Sequence, residues 1–204
     1  MAFSSTPTYS ELQTGVANWL KRADLTSYIP DLILMGEKYI FRKARTRDME
    51  AALSSTIASG VIAVPNDYVA LKYAYIDGAV TTRVHRKPAD WIYTQYPTRS
   101  ADGLPQFIAR EGSNFIFGPY PDSAYTVKGL YYKRLTSVQS SANALFTNNP
   151  DLYLFAALAE AVAFMKDDAR VALWSAKRDQ ILNDLNGEDV AEGAAGGPLT
   201  MAVA

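Results

Sequence analysis

The sequence predicts an α+β protein. An N-terminal and a C-terminal helix pair form a bundle, with a β-rich meander of hairpins between them and an extended C-terminal tail behind. Three observations carry this expectation. Apolar side chains recur at helical spacing near both ends. The middle alternates β-rich runs with glycine-containing turns. After Asn186 the chain reads GEDVAEGAAGGPLTMAVA, rich in Gly and Ala and without an apolar stripe. The expected boundaries are a helix pair over 10–46, a β-rich insert over 49–135 and a helix pair over 149–186, all in one domain spanning 1–186, followed by a tail over 187–204.

At the N-terminal end, Ser10 with Gln13 has the spacing of a capping box. Leu12, Val16, Trp19 and Leu20 then share a face. A second helix is expected from about Ser27, with Pro30 tolerated in its first turn, where backbone N–H groups have no helical partner. Leu32, Met35 and Tyr39 form one stripe of it, with Ile33, Ile40 and Phe41 beside them. Gly36 in mid-helix costs about 1 kcal/mol relative to Ala, which a closely approaching neighbour would explain.

In the middle, Asp77-Gly78 between β-rich runs predicts a hairpin closed by a type I′ turn. QFIAREGSNFIFGPY predicts another, turning at Glu111–Asn114, and YTVKGLYYKRL a further strand beside it. KPADWIYTQY predicts a short helix lying on the sheet. Helix resumes with Asn149 as N-cap, Pro150 at the first position and Asp151 in the first turn. Asp167 or Asp168 would stop that helix and cap the next. The last helix places Val171, Trp174, Ile181 or Leu182, and Leu185 on one face, with Gly187 as its C-terminal cap.

The segment NNPDLYLFAALAEAVAFMKDD shows the sharpest local pattern. Between Asp151 and Lys166 lie fourteen residues whose one charge is Glu160. A membrane span needs about 20 apolar residues, so protein is expected to surround this helix. Ala156, Ala157, Ala159, Ala161 and Ala163 suit close helix approach. Leu152, Phe155, Ala156, Ala159 and Trp174 are the expected packing and interface residues of this helix pair. Part of the cover is expected from a second subunit.

Composition narrows the chemistry. Of 204 residues, 49% are apolar or aromatic and 20% charged, the balance of an ordinary globular chain. The net charge of −1 favours neither nucleic acid nor membrane. The absence of cysteine excludes disulfides, thiolate metal sites and cysteine nucleophiles. The opening MAFSSTPTYS has neither the basic nor the apolar region of a secretory signal, so residence inside a cell is expected.

YSELQTGVANWLKRADLTSYIPDLILMGEKYIFRKARTRDME resembles the N-terminal helix pair of phage adaptor proteins, the head-to-tail connectors. NNPDLYLFAALAEAVAFMKDDARVALWSAKRDQILNDLN resembles their C-terminal pair, and VPNDYVALKYAYIDG is also similar to the family. Together the similarity spans most of residues 9–186, and the order of the segments makes it specific. The resemblance implies a structural virion protein of a short-tailed phage, without cofactor or enzymatic activity. Such adaptors form a homo-oligomeric ring, typically twelve-fold, under the portal protein. The ring extends the channel through which double-stranded DNA passes without sequence-specific contact, and it offers a surface to the tail or nozzle protein. The location implied is the head–tail interface of the virion, with assembly in the host cytoplasm.

Several charged residues could carry a further role. Arg42, Lys43, Arg45 and Arg47 form a basic cluster with three open roles. These are helix-end charge, contact with the portal or a neighbouring subunit, and lining of a channel, where strong basic rings would retard DNA. In TRVHRK, strand alternation puts Arg83 and His85 on one face and Val84 and Arg86 on the other; solvated charge at a strand edge is the plain explanation. A DNA-binding module built on the two basic patches is a further alternative. His85 is the single histidine, so one chain cannot build a multi-histidine metal site, and basic neighbours disfavour a neutral base there. Some connectors of short-tailed phages hydrolyse cell-wall glycans. That alternative needs two carboxylates, yet Asp167 and Asp168 are explained as stop and cap, and Glu160 as an ion pair or interface hydrogen bond. The Gly-rich segment 193–197 lacks the lysine and following helix of a nucleotide loop. In the tail, Leu199, Met201 and Val203 alternate with smaller or polar residues. A disordered terminus is one reading of this composition; the other is strand addition to a sheet edge of the portal or of a neighbouring subunit.

Overall fold

A computed structural model describes residues 3–100, 103–164 and 169–194. The chain divides into two compact units, Met1–Met49 with Leu135–Ala204, and Glu50–Arg134. Among the described residues there are six α-helices and seven strands, a mixed α+β protein.

The first unit is helical. Helix α1 (Tyr9–Leu20) opens on a capping box two residues earlier than expected: the Thr8 side chain accepts from the Glu11 N–H, and the Glu11 carboxylate accepts from the Thr8 N–H. Ser10 and Gln13 therefore lie inside the helix. Glu11 outcompetes Gln13 because a carboxylate is the stronger acceptor beside the positive end of a helix. Leu12, Val16 and Leu20 are buried, whereas Trp19 is 42% exposed and sets its ring against the edge of Phe155, with centroids 5.6 Å apart. A 3-10 turn over Ala23–Tyr28 occupies the expected start of the second helix, and α2 follows as Ile29–Lys43. Its buried stripe is Ile29, Leu32, Ile33, Gly36, Glu37 and Ile40, so Met35, expected on the stripe, is exposed.

Helix α4 (Ala144–Asn148) leads into α5 (Pro150–Glu160). Asn149 stands at the cap of α5 without a side-chain cap bond. Leu152, Tyr153, Leu154, Ala156, Ala157, Leu158 and Ala159 are all buried, which places apolar contacts all round the helix. Helices α1, α2, α4 and α6 (Ala169–Ala194) all contact it. Gly36 is where α2 and α5 meet. A Cβ there would lie 2.7 Å from the Ala156 carbonyl carbon and 2.8 Å from the Ala157 nitrogen. After Glu160 the chain passes into a 3-10 turn over Ala161–Phe164. The stop expected at Asp167 or Asp168 lies outside the described residues. Gly187 does not end the last helix, which continues to Ala194, so the first residues of the expected tail are helical. No helix among the described residues is long and apolar enough to cross a membrane.

The second unit holds β1 (Glu50–Thr56), β2 (Val61–Ala63), β3 (Tyr68–Asp77), β4 (Thr82–Arg86), helix α3 (Ala89–Gln95), β5 (Phe107–Glu111), β6 (Asn114–Gly118) and β7 (Thr126–Lys133). The strands form one sheet in the order β1-β7-β3-β4-β5-β6-β2. β1 and β2, at the two ends of that order, are consecutive in the chain. In a flat sheet their separation would be about 29 Å at about 4.8 Å per strand. The five steps from Thr56 to Val61 span at most about 18 Å, so the sheet curls until it is nearly closed.

The β5–β6 hairpin turns as expected, through Gly112 with φ +57 between the paired Glu111 and Asn114. The β3–β4 hairpin also forms, but its loop spans more than two residues and Gly78 lacks the positive φ that a type I′ turn requires. The strand expected beside the β5–β6 hairpin, β7, instead pairs antiparallel with β1 and β3. The inward face packs Leu53, Leu71, Ala74, Ile76, Val84, Ile108, Phe115, Phe117, Val127 and Tyr131 into one cluster. On the other face, α3 buries Ile92 against Ala109 and Ile116, covering β5 and β6.

Candidate functional site

Arg42, Lys43, Arg45 and Arg47 run along the end of α2 and the residues that follow it. Arg42 and Lys43 are exposed in the last turn of α2, Arg42 with its guanidinium 5.9 Å from the Tyr39 ring centroid. Arg45 and Arg47 follow the helix end. That end is capped from α6: the Asn186 carboxamide accepts from the Arg45 N–H at 2.7 Å and donates to the Lys43 carbonyl at 3.2 Å. This supplies a partner for a helix-end carbonyl that α2 cannot satisfy itself. Next to it opens a cleft of about 310 Å³ lined by Thr46, Arg47, Asp48, Asn148, Asn149, Leu185, Glu188 and Asp189. Asn148 spans it, donating to both oxygens of Asp48 at 3.3 and 3.2 Å.

A second polar network ties α2 and α5 to α6. Arg178 is 8% exposed, lies 3.7 Å from the Tyr39 ring centroid, donates to Asp179 at 2.9 Å, and has Nη1 3.8 Å from Glu160. The Tyr39 hydroxyl donates to Asp179 at 2.9 Å. Hydrogen bonding to Arg178 holds the Asp179 carboxyl below the usual carboxylate range, while burial and the Asp179 bond raise the Tyr39 hydroxyl. Glu160 thus carries an ion pair, one of the two roles expected for it. Sequence reasoning missed Arg178. The available signal was its place on the Val171–Trp174–Leu182 stripe, where a buried arginine demands an anion.

Glu37 was missed as well. It is 2% exposed on the buried face of α2, and it accepts from the Ser137 hydroxyl at 2.6 Å and the Val138 N–H at 2.8 Å. Burial pushes its carboxyl up, against the opposing pull of these two bonds. Asn143 completes the tie of segment 135–143 to the helices. Its oxygen accepts from the Phe146 N–H and the Tyr153 hydroxyl, and its nitrogen donates to the Thr136 carbonyl. Burial raises the Tyr153 hydroxyl.

Leu152, Ala156, Ala159 and Trp174 are buried within the helical unit, and Phe155 is half-buried beside Trp19. Leu199, Met201 and Val203 lie outside the described residues.

In the second unit, Arg83 and His85 share the face of β4 opposite the buried Val84, as alternation requires. The strand is not an edge, since β4 pairs with β3 on one side and β5 on the other. Edge protection therefore does not explain these charges. They stand on the outward face of β4, while α3 packs on β5 and β6 and the His85 ring lies at the margin of that cover, 6.5 Å from the Phe107 ring centroid. An open groove of about 480 Å³ runs there, lined by Lys72, Tyr73, Ala74, Tyr75, Thr81 and Arg83. A bulge between Leu71 and Tyr73 inserts one residue against β7 and sets Lys72 beside Tyr73. The Tyr73 and Tyr75 rings stand nearly parallel, 6.5 Å between centroids. Lys72 is ion-paired with Glu50 at 2.6 Å. The Arg83 guanidinium has no hydrogen bond or ion pair with any described residue.

The networks around Arg178, Glu37, Asn143 and Asn186 tie segments of the helical unit to one another, which fits a structural role. The sequence comparison agrees: residues 7–202 match the SU10 adaptor protein family. The chain belongs to that family of phage adaptor proteins, and it is a structural phage protein. Among curated proteins, none matches the sequence significantly.

Proposed function

We propose that this chain is a head-to-tail adaptor. Copies form a homo-oligomeric ring, with twelve-fold symmetry the expectation, that docks under the portal, extends the DNA channel and presents a surface to the tail. On this reading the N- and C-terminal helices act as one bundle that sets copies side by side, and the protein resides at the head–tail interface of the virion. The observation that carries the proposal, beyond family membership, is apolar surface left uncovered on the helical unit. Leu173 is 67% and Val190 71% exposed, and Trp19, Met35 and Val162 are exposed too. Where such side chains join into one contiguous patch they mark contact with another protein, and the proposal takes these as parts of the surface that faces a neighbouring copy.

The tail belongs to the same proposal. Residues 195–204, with Leu199, Met201 and Val203, add as a strand to a sheet edge of the portal or a neighbouring copy. Deleting 193–204 leaves the fold intact and weakens docking to the portal. Unchanged docking of the truncated chain removes that part alone.

Electron microscopy of the purified protein, with and without its portal, tests the proposal. Annular particles are expected in at least one condition. A lone polypeptide in both, seen also by sedimentation, would overturn it.

A further inference from the structure

We propose that the tyrosine-lined groove of the sheet, Lys72–Tyr73–Tyr75–Arg83, receives the C-terminal half of α6 from a second copy of this chain. The inference rests on the ring reading above and assigns the two surfaces that meet in it.

The groove exists because the sheet is covered unevenly. α3 seals the outward face of β5 and β6, and that cover does not extend to β3 and β4. Two tyrosine rings stand in the opening, Tyr73 40% exposed. The lining residues hold two cations and no carboxylate. Charge matching then limits the occupant. Lys72 already faces Glu50 at 2.6 Å, and Lys128, on the neighbouring strand, faces Asp77 at 2.6 Å. One uncompensated guanidinium, Arg83, remains. A nucleic acid strand would bring a row of phosphates and needs several cations to release its counterions. A single arginine suits one or two carboxylates, which its planar fork can bind in bidentate fashion.

The chain itself carries a segment of that description. Along α6, Asp184, Gly187, Glu188 and Ala191 fall on one exposed stripe, with Val190 beside it. A Cβ at Gly187 would meet nothing within 4 Å. This surface is therefore apolar, low in relief and acidic. Laid in the groove, Val190 and Gly187 would meet the tyrosine faces, and Glu188 or Asp184 would meet Arg83. Groove and helix are different surfaces of one chain. The contact is heterologous, the kind that generates a ring when its rotation closes.

The protein has no cysteine, so engineered pairs report without background. Thr81→Cys and Val190→Cys, each exposed in the structure, are made separately, mixed in the presence of portal and oxidised. A disulfide-linked dimer containing one copy of each variant is expected. Neither variant alone should give it, and the double variant should give a ladder of linked copies. Arg83→Glu should lower ring yield at least tenfold, and Arg83→Glu with Glu188→Arg should recover most of it, with circular dichroism unchanged throughout. Rings without the crossed dimer would overturn this contact and leave the ring reading standing. Dimers of Val190→Cys alone would overturn it in favour of a two-fold contact. Full ring yield for Arg83→Glu, with lost binding to a fluorescent single-stranded oligonucleotide, would assign the groove to nucleic acid. Absence of rings in every condition would remove the ring reading, and this contact with it.

Discussion

Gly36 in α2 and Gly187 in α6 both sit inside helices of the same unit, and their surroundings could hardly differ more. A methyl group at Gly36 would press on the backbone of α5, 2.7 Å from the Ala156 carbonyl carbon, whereas one at Gly187 would meet nothing within 4 Å. In an exposed helix interior each glycine costs about 1 kcal/mol relative to alanine. At Gly36 that cost is offset inside the chain, because the absent Cβ lets two helices approach closely and bury Leu32, Ile33 and Ile40 against α5 and its neighbours. At Gly187 no contact with a described residue offsets it. The first region is closed by packing within the chain; the second lies open among the described residues.

The largest expected effect tests the sealed region. Gly36→Val should destabilise the protein by about 3 kcal/mol, since the atoms it would strike are backbone and cannot rotate aside. Gly36→Ala should cost about 2 kcal/mol, the overpacking reduced by the gain in helix propensity. Urea unfolding measures both. A stabilised Gly36→Ala would show that the helices separate freely, and the contrast with Gly187 would collapse. Asn143→Ala should cost about 1–2 kcal/mol. It removes the cap of α4 and the donor to Thr136, and it strands the buried Tyr153 hydroxyl. Tyr153→Phe in that background should then cost little further, because the hydroxyl has already lost its partner.

The sequence disclosed one of these regions far better than the other. Gly36 lay between clear apolar stripes, so a close neighbour was predictable, and Pro150 with Asp151 marked the start of that neighbour. Gly187 carried the ordinary composition of a helix end, followed by more Gly and Ala, and local propensity placed the stop there. In the structure α6 continues to Ala194, so propensity was overridden. The sheet shows the same limit. Both hairpins were legible from their turn residues, although the turn of the first is longer than the type I′ turn expected, but β7 lies between β1 and β3, strands separated from it by some fifty residues or more, and no local pattern encodes such pairing. β1 itself, EAALSST, has few of the branched residues that mark strands. The groove at Tyr73, Tyr75 and Arg83 was hidden for a related reason. Arg83 was visible as a charge, but what leaves it uncovered is the reach of α3 on the far side of β4, a property of the assembled sheet.

A weaker perturbation probes the sealed region through pH. Burial raises the Glu37 carboxyl above its ordinary value, so the folded state binds its proton more tightly than the unfolded state does. Its contribution is then fully present below the unfolded value, about 4.3, and is lost as pH rises through the folded value. Asp179, held low by Arg178, acts with the opposite sign: its stabilisation is present above the ordinary aspartate range and is lost as pH falls. Urea midpoints measured against pH for the parent and Glu37→Gln should therefore diverge from about pH 4 upward. Glu37→Gln should remove the part of the decline that belongs to this site. Parallel curves would mean that the carboxylate is solvated as well in the folded state as in the unfolded.

The smallest expected effect is the most discriminating, because it makes the same chemical change in the open region. Gly187→Ala adds one methyl group to an exposed helical position with open space around it. Helix propensity then acts alone, and the isolated chain should gain about 0.5–1 kcal/mol. One substitution would thus change sign between two helices of one unit, a loss at Gly36 and a gain at Gly187. Assembly separates the two meanings further. If a second copy rests closely on this stripe, a larger group such as Gly187→Phe should leave the unfolding midpoint of the isolated chain nearly unchanged while lowering ring yield. Unfolding and ring yield moving together would mean that Gly187 already has a neighbour within its own chain. A ring yield indifferent to phenylalanine would place the surface of α6 away from every subunit contact.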